Sequence, residues 1–262
     1  MEEGRFRTAA AHYARGRPPY PPALIAAVAG ACRLTRADRL LDLGTGPGLL
    51  AIAFAPYVGS VLAVDPEPAM LAEARQAVRA AGGGIEVRAG SSETLDPSWG
   101  RFRAVTMGRA FHWMDRAGTL RRLEELVDPD GYIVLLNDEL ADVPENAALC
   151  AWSEVVERHS ADDRERMERR SPEWQNHEQV LRSSAFARVE RLVQDHAATT
   201  TVELLVHRAL SMSATSAARL GPRTGPVVRE IREALAPFAA TGPLVEHRRW
   251  TVLIARRGPT SP

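Results

Sequence analysis

Residues 40–48 read Leu40-Leu41-Asp42-Leu43-Gly44-Thr45-Gly46-Pro47-Gly48. A short apolar run, typical of a buried strand, leads into a glycine-rich turn, and the segment 49–57 after the turn predicts a helix. Glycines at such a turn let the backbone bend tightly and approach a ligand closely. Asp65 ends the next predicted strand, 21 positions after Gly44 (65 − 44). Because a carboxylate there can accept hydrogen bonds from both hydroxyls of a ribose, the pattern predicts a site for a nucleoside-containing ligand.

Predicted strands and helices alternate at short intervals through the first 140 residues. The predicted strands are Arg39–Leu43, Ser60–Val64, Ile85–Ala89, Phe102–Met107 and Tyr132–Asn137. The predicted helices are Ala23–Cys32, Leu49–Tyr57, Pro68–Ala81 and Ala117–Leu126, and a turn at Asp128–Gly131 precedes the fifth strand. Alternation of this kind predicts a Rossmann-like α/β fold, with a mostly parallel sheet that helices cover on both faces.

The alternation stops after Leu140. Residues 141–185 are charged and helical in character, and the chain then returns to elements of ordinary length. These are a strand at Phe186–Ala197, helices at Val202–Ser211 and Val227–Ala236, and a last strand at Arg248–Arg256. We therefore divide the chain into an N-terminal arm and helix (1–36), a cofactor-binding core (37–140), substrate-pocket or lid helices that include strand six (141–240, with the strand at 186–197), and a last strand with a tail (241–262).

Charge and composition narrow the classes of partner. Basic and acidic residues balance at 33 each, so the formal net charge is zero and neither nucleic acid nor a membrane surface is an expected partner. The two cysteines, Cys32 and Cys150, form no CxxC or Cys/His cluster that would indicate a disulfide framework or a zinc site. No signal peptide or spanning apolar run is present, so we expect a cytoplasmic protein. The sequence does not predict an oligomeric state.

Two ligands fit a glycine-rich turn of this type, a dinucleotide and S-adenosylmethionine. Three features favour S-adenosylmethionine. The third glycine of a dinucleotide site is replaced by Leu49, no basic residue lies in the loop to hold a phosphate, and Asp42 would repel a pyrophosphate while attracting a cationic amino-acid group. A nicotinamide-dependent oxidoreductase is the less favoured alternative, and a non-catalytic module that binds S-adenosylmethionine for regulation or scaffolding stays open.

The glycine-rich segment 40–48 and four other motifs resemble those of class I S-adenosylmethionine-dependent methyltransferases. LLDLGTGPG resembles the first motif of that family, VDPEPAML the second, and GSSETL the segment after the third strand. RAFHWMD and the opening YARGRPPYP are typical of a small-molecule subgroup similar to trans-aconitate and ubiquinone/menaquinone-type methyltransferases. The resemblance covers roughly residues 10–137. It implies a seven-stranded sheet, S-adenosylmethionine as cofactor with S-adenosylhomocysteine as product, and methyl transfer to oxygen or nitrogen of a small organic molecule, with secondary metabolism as one expected setting.

The resemblance also implies a role for individual residues. Those expected around the methionine portion of the cofactor are Asp42, Gly44, Thr45 and Gly46. Asp65 would bind ribose, with Pro66 and Met70 near adenine and Ser91, Ser92 and Glu93 along the adenine edge. Met107, Gly108, Arg109 and Ala110 would form the floor under the reactive methyl group, while Tyr13 and Arg17 would fold over the cofactor, with Arg17 directed towards its carboxylate.

His112 is the predicted general base, because an imidazole titrates near neutrality and this one follows the predicted floor of the methyl site. Packing beside Phe111 and Trp113 is the alternative role for it. If His112 is not the base, the remaining candidates are His177, His207, Asp138 and Glu139. No carboxylate lies in residues 107–110, so we expect no metal ion. We expect residues 1–22 and 141–185 to close over the site.

Overall fold

A seven-stranded sheet forms the centre of the computed structural model, which describes residues 10–82, 84–160, 167–168 and 171–258. Its strands are β1 (Arg39–Leu43), β2 (Ser60–Asp65), β3 (Ile85–Ala89), β4 (Phe102–Gly108), β5 (Val127–Leu140), β6 (Arg188–Thr200) and β7 (Leu244–Arg256). Their order is β3-β2-β1-β4-β5-β7-β6, and β7 runs antiparallel to the other six strands. The predicted Rossmann-like fold with a seven-stranded, mostly parallel sheet is confirmed.

Helices cover both faces of the sheet. In chain order they are α1 (Ala10–Gly16), α2 (Pro22–Ala31), α3 (Leu49–Phe54), α4 (Pro68–Ala81), α5 (Arg116–Leu126), α6 (Ala147–His159), α7 (His177–Arg182), α8 (Val202–Ser211), α9 (Ala217–Leu220) and α10 (Thr224–Ala239). On β1, Leu40 packs into the core formed with α2 and α3, while Leu41 and Leu43 point to the opposite core with α5 and α7. Strands buried on both faces explain why β1 is apolar without alternation.

A third apolar core lies among α6, α8 and α10, and Leu244 at the start of β7 packs into it. Trp152 is buried there, and its indole N–H donates to the carbonyl of Leu205 at 3.0 Å. The apolar residues of these helices recur at helical spacing, which places a separate packed layer after the fifth strand. Within the described residues, no helix is long and apolar enough to cross a membrane.

Strand lengths differ from the sequence prediction at two places. The predicted turn Asp128–Gly131 lies inside β5, where the pairing register with β4 shifts between Phe102 and Ala104 and leaves the turn as a bulge. The pair β6–β7 extends further than predicted, to Thr200 opposite Leu244. Hydrogen bonding between two strands distant in sequence lengthens both of them, and local apolar patterning does not register that effect.

The strand order reverses between β1 and β4, so the connections after these two strands leave in opposite directions. In an open α/β sheet, the crevice beyond the carboxyl ends of such a pair is the usual place for a ligand. The glycine turn after β1 and the residues after β4 therefore meet at one edge.

Candidate active site

A cavity of about 530 Å³ opens at the carboxyl ends of β1 and β4. Segments after β1, β2, β3, β4 and β5 contribute to its wall, together with the N-terminal arm and residues of the C-terminal half. The lining residues are Tyr13, Arg17, Leu43, Gly44, Gly46, Asp65, Pro66, Glu67, Met70, Ser91, Ser92, Glu93, Gly108, Arg109, Ala110, His112, Trp113, Met114, Asn137, Asp138, Met212, Ser213 and Arg248.

The glycine turn is held in a left-handed conformation that leaves room for a ligand. Gly44 and Gly46 have φ values of 73° and 55°, a region that side chains disfavour. Backbone N–H groups of Gly44 and Thr45 both donate to the carbonyl of Val64, which fixes the turn against the end of β2. A Cβ on Gly44 would lie 2.6 Å from the Cβ of Ala110, so this position admits no side chain.

Asp65 stands at the end of β2 and is nearly buried. Its Oδ2 accepts from the N–H of Gly46 at 2.8 Å and its Oδ1 from the N–H of Glu67 at 2.9 Å. Burial raises the pKa of Asp65, and these two hydrogen bonds oppose the increase. Each carboxylate oxygen keeps a further lone pair, so the group can still accept hydrogen bonds from a ligand in the cavity.

Asp42 lies deeper, behind the glycine turn, on a small pocket that adjoins the main cavity. Its two oxygens accept from the hydroxyls of Thr45 at 2.6 Å and Thr106 at 2.8 Å. Burial raises the pKa of Asp42 to about 6, although both hydrogen bonds favour the charged form. A carboxylate so placed gains from any cation that comes close, because no basic side chain pairs with it among the described residues.

Arg109 follows β4 with a φ of 56°, a left-handed backbone that is uncommon outside glycine. Its N–H donates to the carbonyl of Leu136, and its Nε donates to Asp138 Oδ1 at 2.5 Å. Burial alone would lower the pKa of Arg109, but the Asp138 carboxylate raises it above its ordinary value. The guanidinium also lies 5.0 Å from the ring centres of Tyr20 and Trp250. These contacts hold the strained backbone in place.

A chain of buried ion pairs joins this strand end to the N-terminal arm. Asp138 also accepts from Arg248 at 2.5 Å, Arg248 contacts Glu246 at 3.4 Å, and Glu246 binds Arg208 through two hydrogen bonds. Arg208 then donates through Nε to the carbonyl of Gly16. The arm also accepts from Arg109 at the carbonyl of Pro18. Arg17, in the same arm, has a buried Nε without a hydrogen-bond partner in the described part of the chain.

His112 lies on the cavity wall, in the short 3-10 turn Phe111–Trp113. Its ring stacks on that of His177, with 6.3 Å between ring centres and 9° between planes. His177 packs on Phe111 and does not line the cavity, and neither do His207 and Glu139. Asp138 does line it, but two guanidinium groups overcome the effect of burial and hold its pKa well below its ordinary value. Of the five predicted base candidates, His112 and Asp138 therefore lie on the cavity wall, and Asp138 is held in ion pairs with Arg109 and Arg248.

Most predicted site residues meet at this cavity, and three do not. Asp42 and Thr45 line only the small pocket behind the turn. Met107 does not form part of the floor: it is 1% exposed and packs with Leu41 and Phe111 in the core facing α5. Its prediction as a wall residue is wrong because its side chain points to the α5 face of the sheet, and the wall is formed instead where the strand ends, at Gly108 and Arg109.

The C-terminal half contributes fewer residues to the wall than predicted. None of the described residues in 141–185 lines the cavity, so a cover formed by that segment has no support there. Met212, Ser213 and Arg248 do line it. Sequence reasoning missed these three, since nothing local marks a helix end or a strand start as part of a distant site.

Similarity to known proteins agrees with this geometry. Residues 40–131 match the family described as "Methyltransferase domain". These residues therefore match a methyltransferase domain. The chain is 34% identical over 131 residues to an uncharacterized methyltransferase of Mycobacterium tuberculosis strain H37Rv, covering 50% of this chain and 51% of that protein. It is 33% identical over 98 residues to the ubiquinone biosynthesis O-methyltransferase of Azorhizobium caulinodans, covering 37% and 39%.

The chain also shares the fold of a solved structure. YjhP of E. coli superposes with a TM-score of 0.55 at 14% identity, over 97% of this chain and 100% of that one. The chain spans about half the length of the M. tuberculosis relative that it matches. The resemblance to class I methyltransferases is thus confirmed, and S-adenosylmethionine is the cofactor that this family implies. In residues 10–82, 84–160, 167–168 and 171–258, no group of three or more His, Cys, Asp or Glu side chains could hold a metal ion.

Proposed function

We propose that the chain is a methyltransferase that moves the methyl group of S-adenosylmethionine to an oxygen or nitrogen atom of a small organic molecule. The observation that carries the proposal is the cavity itself. Its wall combines a glycine turn and an acidic strand end with His112, Met212 and Ser213. The similarity of RAFHWMD to small-molecule enzymes supports an acceptor of this size, and secondary metabolism is the setting that it suggests.

The cavity has the features that this cofactor requires. Two groups have charges that an amino-acid moiety would complement: the buried Asp42 carboxylate, with its raised pKa, and the Arg17 guanidinium, which lines the cavity. The turn at Gly44 leaves the backbone open to close approach. Asp65 retains acceptor capacity for ribose hydroxyls, with Pro66 and Met70 beside it for adenine.

When bound, S-adenosylmethionine supplies a methyl group on a sulfonium, so the reaction depends more on alignment than on activation of the reagent. Gly108, Arg109 and Ala110 form part of the cavity wall after β4. Arg109 is fixed by Asp138 and therefore serves to position the backbone of this wall. His112 is the residue that we propose removes a proton from a hydroxyl or ammonium acceptor.

Calorimetry on the purified protein tests the cofactor part of this proposal. We expect S-adenosylhomocysteine to bind at one site per chain, with no comparable binding of NAD or NADP. Asp65→Ala should weaken that binding by roughly 1.5–3 kcal/mol, because it removes hydrogen bonds to a charged acceptor. Asp142→Ala is the matched control, since Asp142 is exposed and lies outside the cavity. Equal affinity of the wild type and Asp65→Ala would remove Asp65 from the site.

Turnover tests the transfer itself. Incubation with methyl-labelled cofactor and a panel of small hydroxy and amino compounds should give a labelled small product. If the cofactor binds with its expected affinity and no acceptor in an extended panel is methylated, a binding module would replace the enzyme as the better account.

A further inference from the structure

A second cavity, of about 160 Å³, lies on the other side of Arg17 and Arg248 from the methyl site. The arm segment Arg15–Pro19 covers it, and the pair β6–β7 forms its base. Alternate residues of β6 face it, with Ala198 opposite Glu246 in the sheet.

Unpartnered polar atoms concentrate around this cavity. Arg17 Nε, Thr200 Oγ1 and Trp250 Nε1 are buried without a hydrogen-bond partner, and all three side chains line it. These are three of the five such side-chain atoms that residues 10–82, 84–160, 167–168 and 171–258 contain. A buried polar group left unpaired is costly, so each one indicates a missing partner.

The missing partner has to accept hydrogen bonds and carry negative charge. Arginine and tryptophan N–H groups only donate, and a threonine hydroxyl can donate as well. The acidic side chains nearby are already engaged, because Glu246 binds Arg208 and Asp138 binds Arg109 and Arg248. Arg17 therefore remains as a cation without an ion pair among the described residues.

The wall also has apolar side chains beside its charged residues, among them Arg15, Arg208 and Glu246. Pro19, Ala198 and Leu204 line the same cavity as the three donors. A ligand that satisfies both parts has one anionic end and a short hydrocarbon body. We propose that this cavity binds a small organic carboxylate, separately from the cofactor and the methyl acceptor.

Titration of sodium butyrate into the full-length protein tests the proposal without any need for turnover. Sodium chloride keeps the ionic strength constant, so that screening is matched. Saturable binding at one site per chain is the expected result. Thr200→Val keeps the side-chain shape but removes the hydroxyl, and we expect it to weaken binding by roughly tenfold or more. Ala198→Leu should abolish binding by filling the cavity.

Thr251→Val is the matched control, because Thr251 follows Trp250 on β7 but does not line this cavity. It should bind butyrate like the wild type. In buffer without carboxylate, Thr200→Val should melt no lower than the wild type, since it removes an unpaired buried hydroxyl; this excludes misfolding as the cause of weaker binding.

Three outcomes would overturn the proposal. The first is an absence of saturable butyrate binding to the wild type. The second is equal binding by Thr200→Val, Ala198→Leu and the control, which would place the ligand elsewhere. The third is binding of inorganic phosphate in preference to butyrate, which would remove the need for an apolar body.

Discussion

Asp42 gives the sharpest test of how the fold prepares the cofactor site. Its carboxylate is buried behind the glycine turn, and burial raises its pKa to about 6. At that pKa, about nine-tenths of the molecules carry the charge at pH 7 and about one-tenth at pH 5. If the ammonium-bearing cofactor binds only the charged form, its dissociation constant should rise about tenfold from pH 7 to pH 5.

Calorimetry with S-adenosylhomocysteine at pH 5, 6 and 7 measures this change. Near pH 6, binding should release roughly half a proton, which appears as a dependence of the heat on the ionisation enthalpy of the buffer. Asp42→Asn should bind weakly throughout and lose most of the pH dependence. A smaller slope should remain, because burial also raises the pKa of Asp65. Asp142→Asn, which removes one exposed carboxylate outside the cavity, should behave like the wild type.

The ligand-free protein should respond in the opposite direction. A carboxyl group whose folded pKa is raised is stabilising below its unfolded value of 3.8 and loses that contribution as the pH rises through about 6. Asp42→Asn should therefore increase the free energy of unfolding at pH 7 to 8 by roughly 1–3 kcal/mol. The melting temperature should rise accordingly. If affinity is independent of pH in the wild type, or if Asp42→Asn retains the full slope, the argument from burial fails.

Three further predictions concern the acceptor side, the arm and acid stability. His112→Gln should lower the turnover rate about 10²–10⁴-fold with cofactor affinity nearly unchanged, and near-normal turnover would leave His112 as a packing residue. Hydrogen exchange in residues 10–17 should slow when S-adenosylhomocysteine binds, because Tyr13 and Arg17 line the cavity. Exchange in residues 147–159 should change little. The reverse pattern would favour a lid in 141–185. His12 donates to or accepts from His207 at 2.8 Å, and burial lowers its pKa, so the melting temperature should fall as the pH drops below 6.5, less so in His12→Gln.

The sheet and the cofactor turn could be predicted from the sequence because their signals are local. Residues 39–43 form a continuous apolar run that ends in glycines, and the structure places β1 at the same bounds. The same holds for α4 at Pro68–Ala81 and α8 at Val202–Ser211. Apolar periodicity within one element is sufficient to find it.

The side-chain network around Arg109 could not be predicted in this way. Asp138 is a base candidate from the sequence, whereas its partners are Arg109, just after β4, and Arg248 on β7, 29 and 110 positions away in sequence. Which face a strand residue occupies also depends on register, and that is why Met107 was placed wrongly on the wall. Long-range pairing decides both matters, and a single sequence contains no direct signal of it.

The buried ion pairs from Arg208 through Glu246, Arg248 and Asp138 to Arg109 have a practical consequence for protein engineering. Each member is the partner of another, so a library that varies any one of them would mostly sample misfolded or weakened proteins, and effects of paired changes would not add. Met212 and Ser213 line the cavity without belonging to that chain of charges. Variation at these two positions is therefore the economical way to alter which compounds the proposed methyltransferase accepts while its scaffold stays intact.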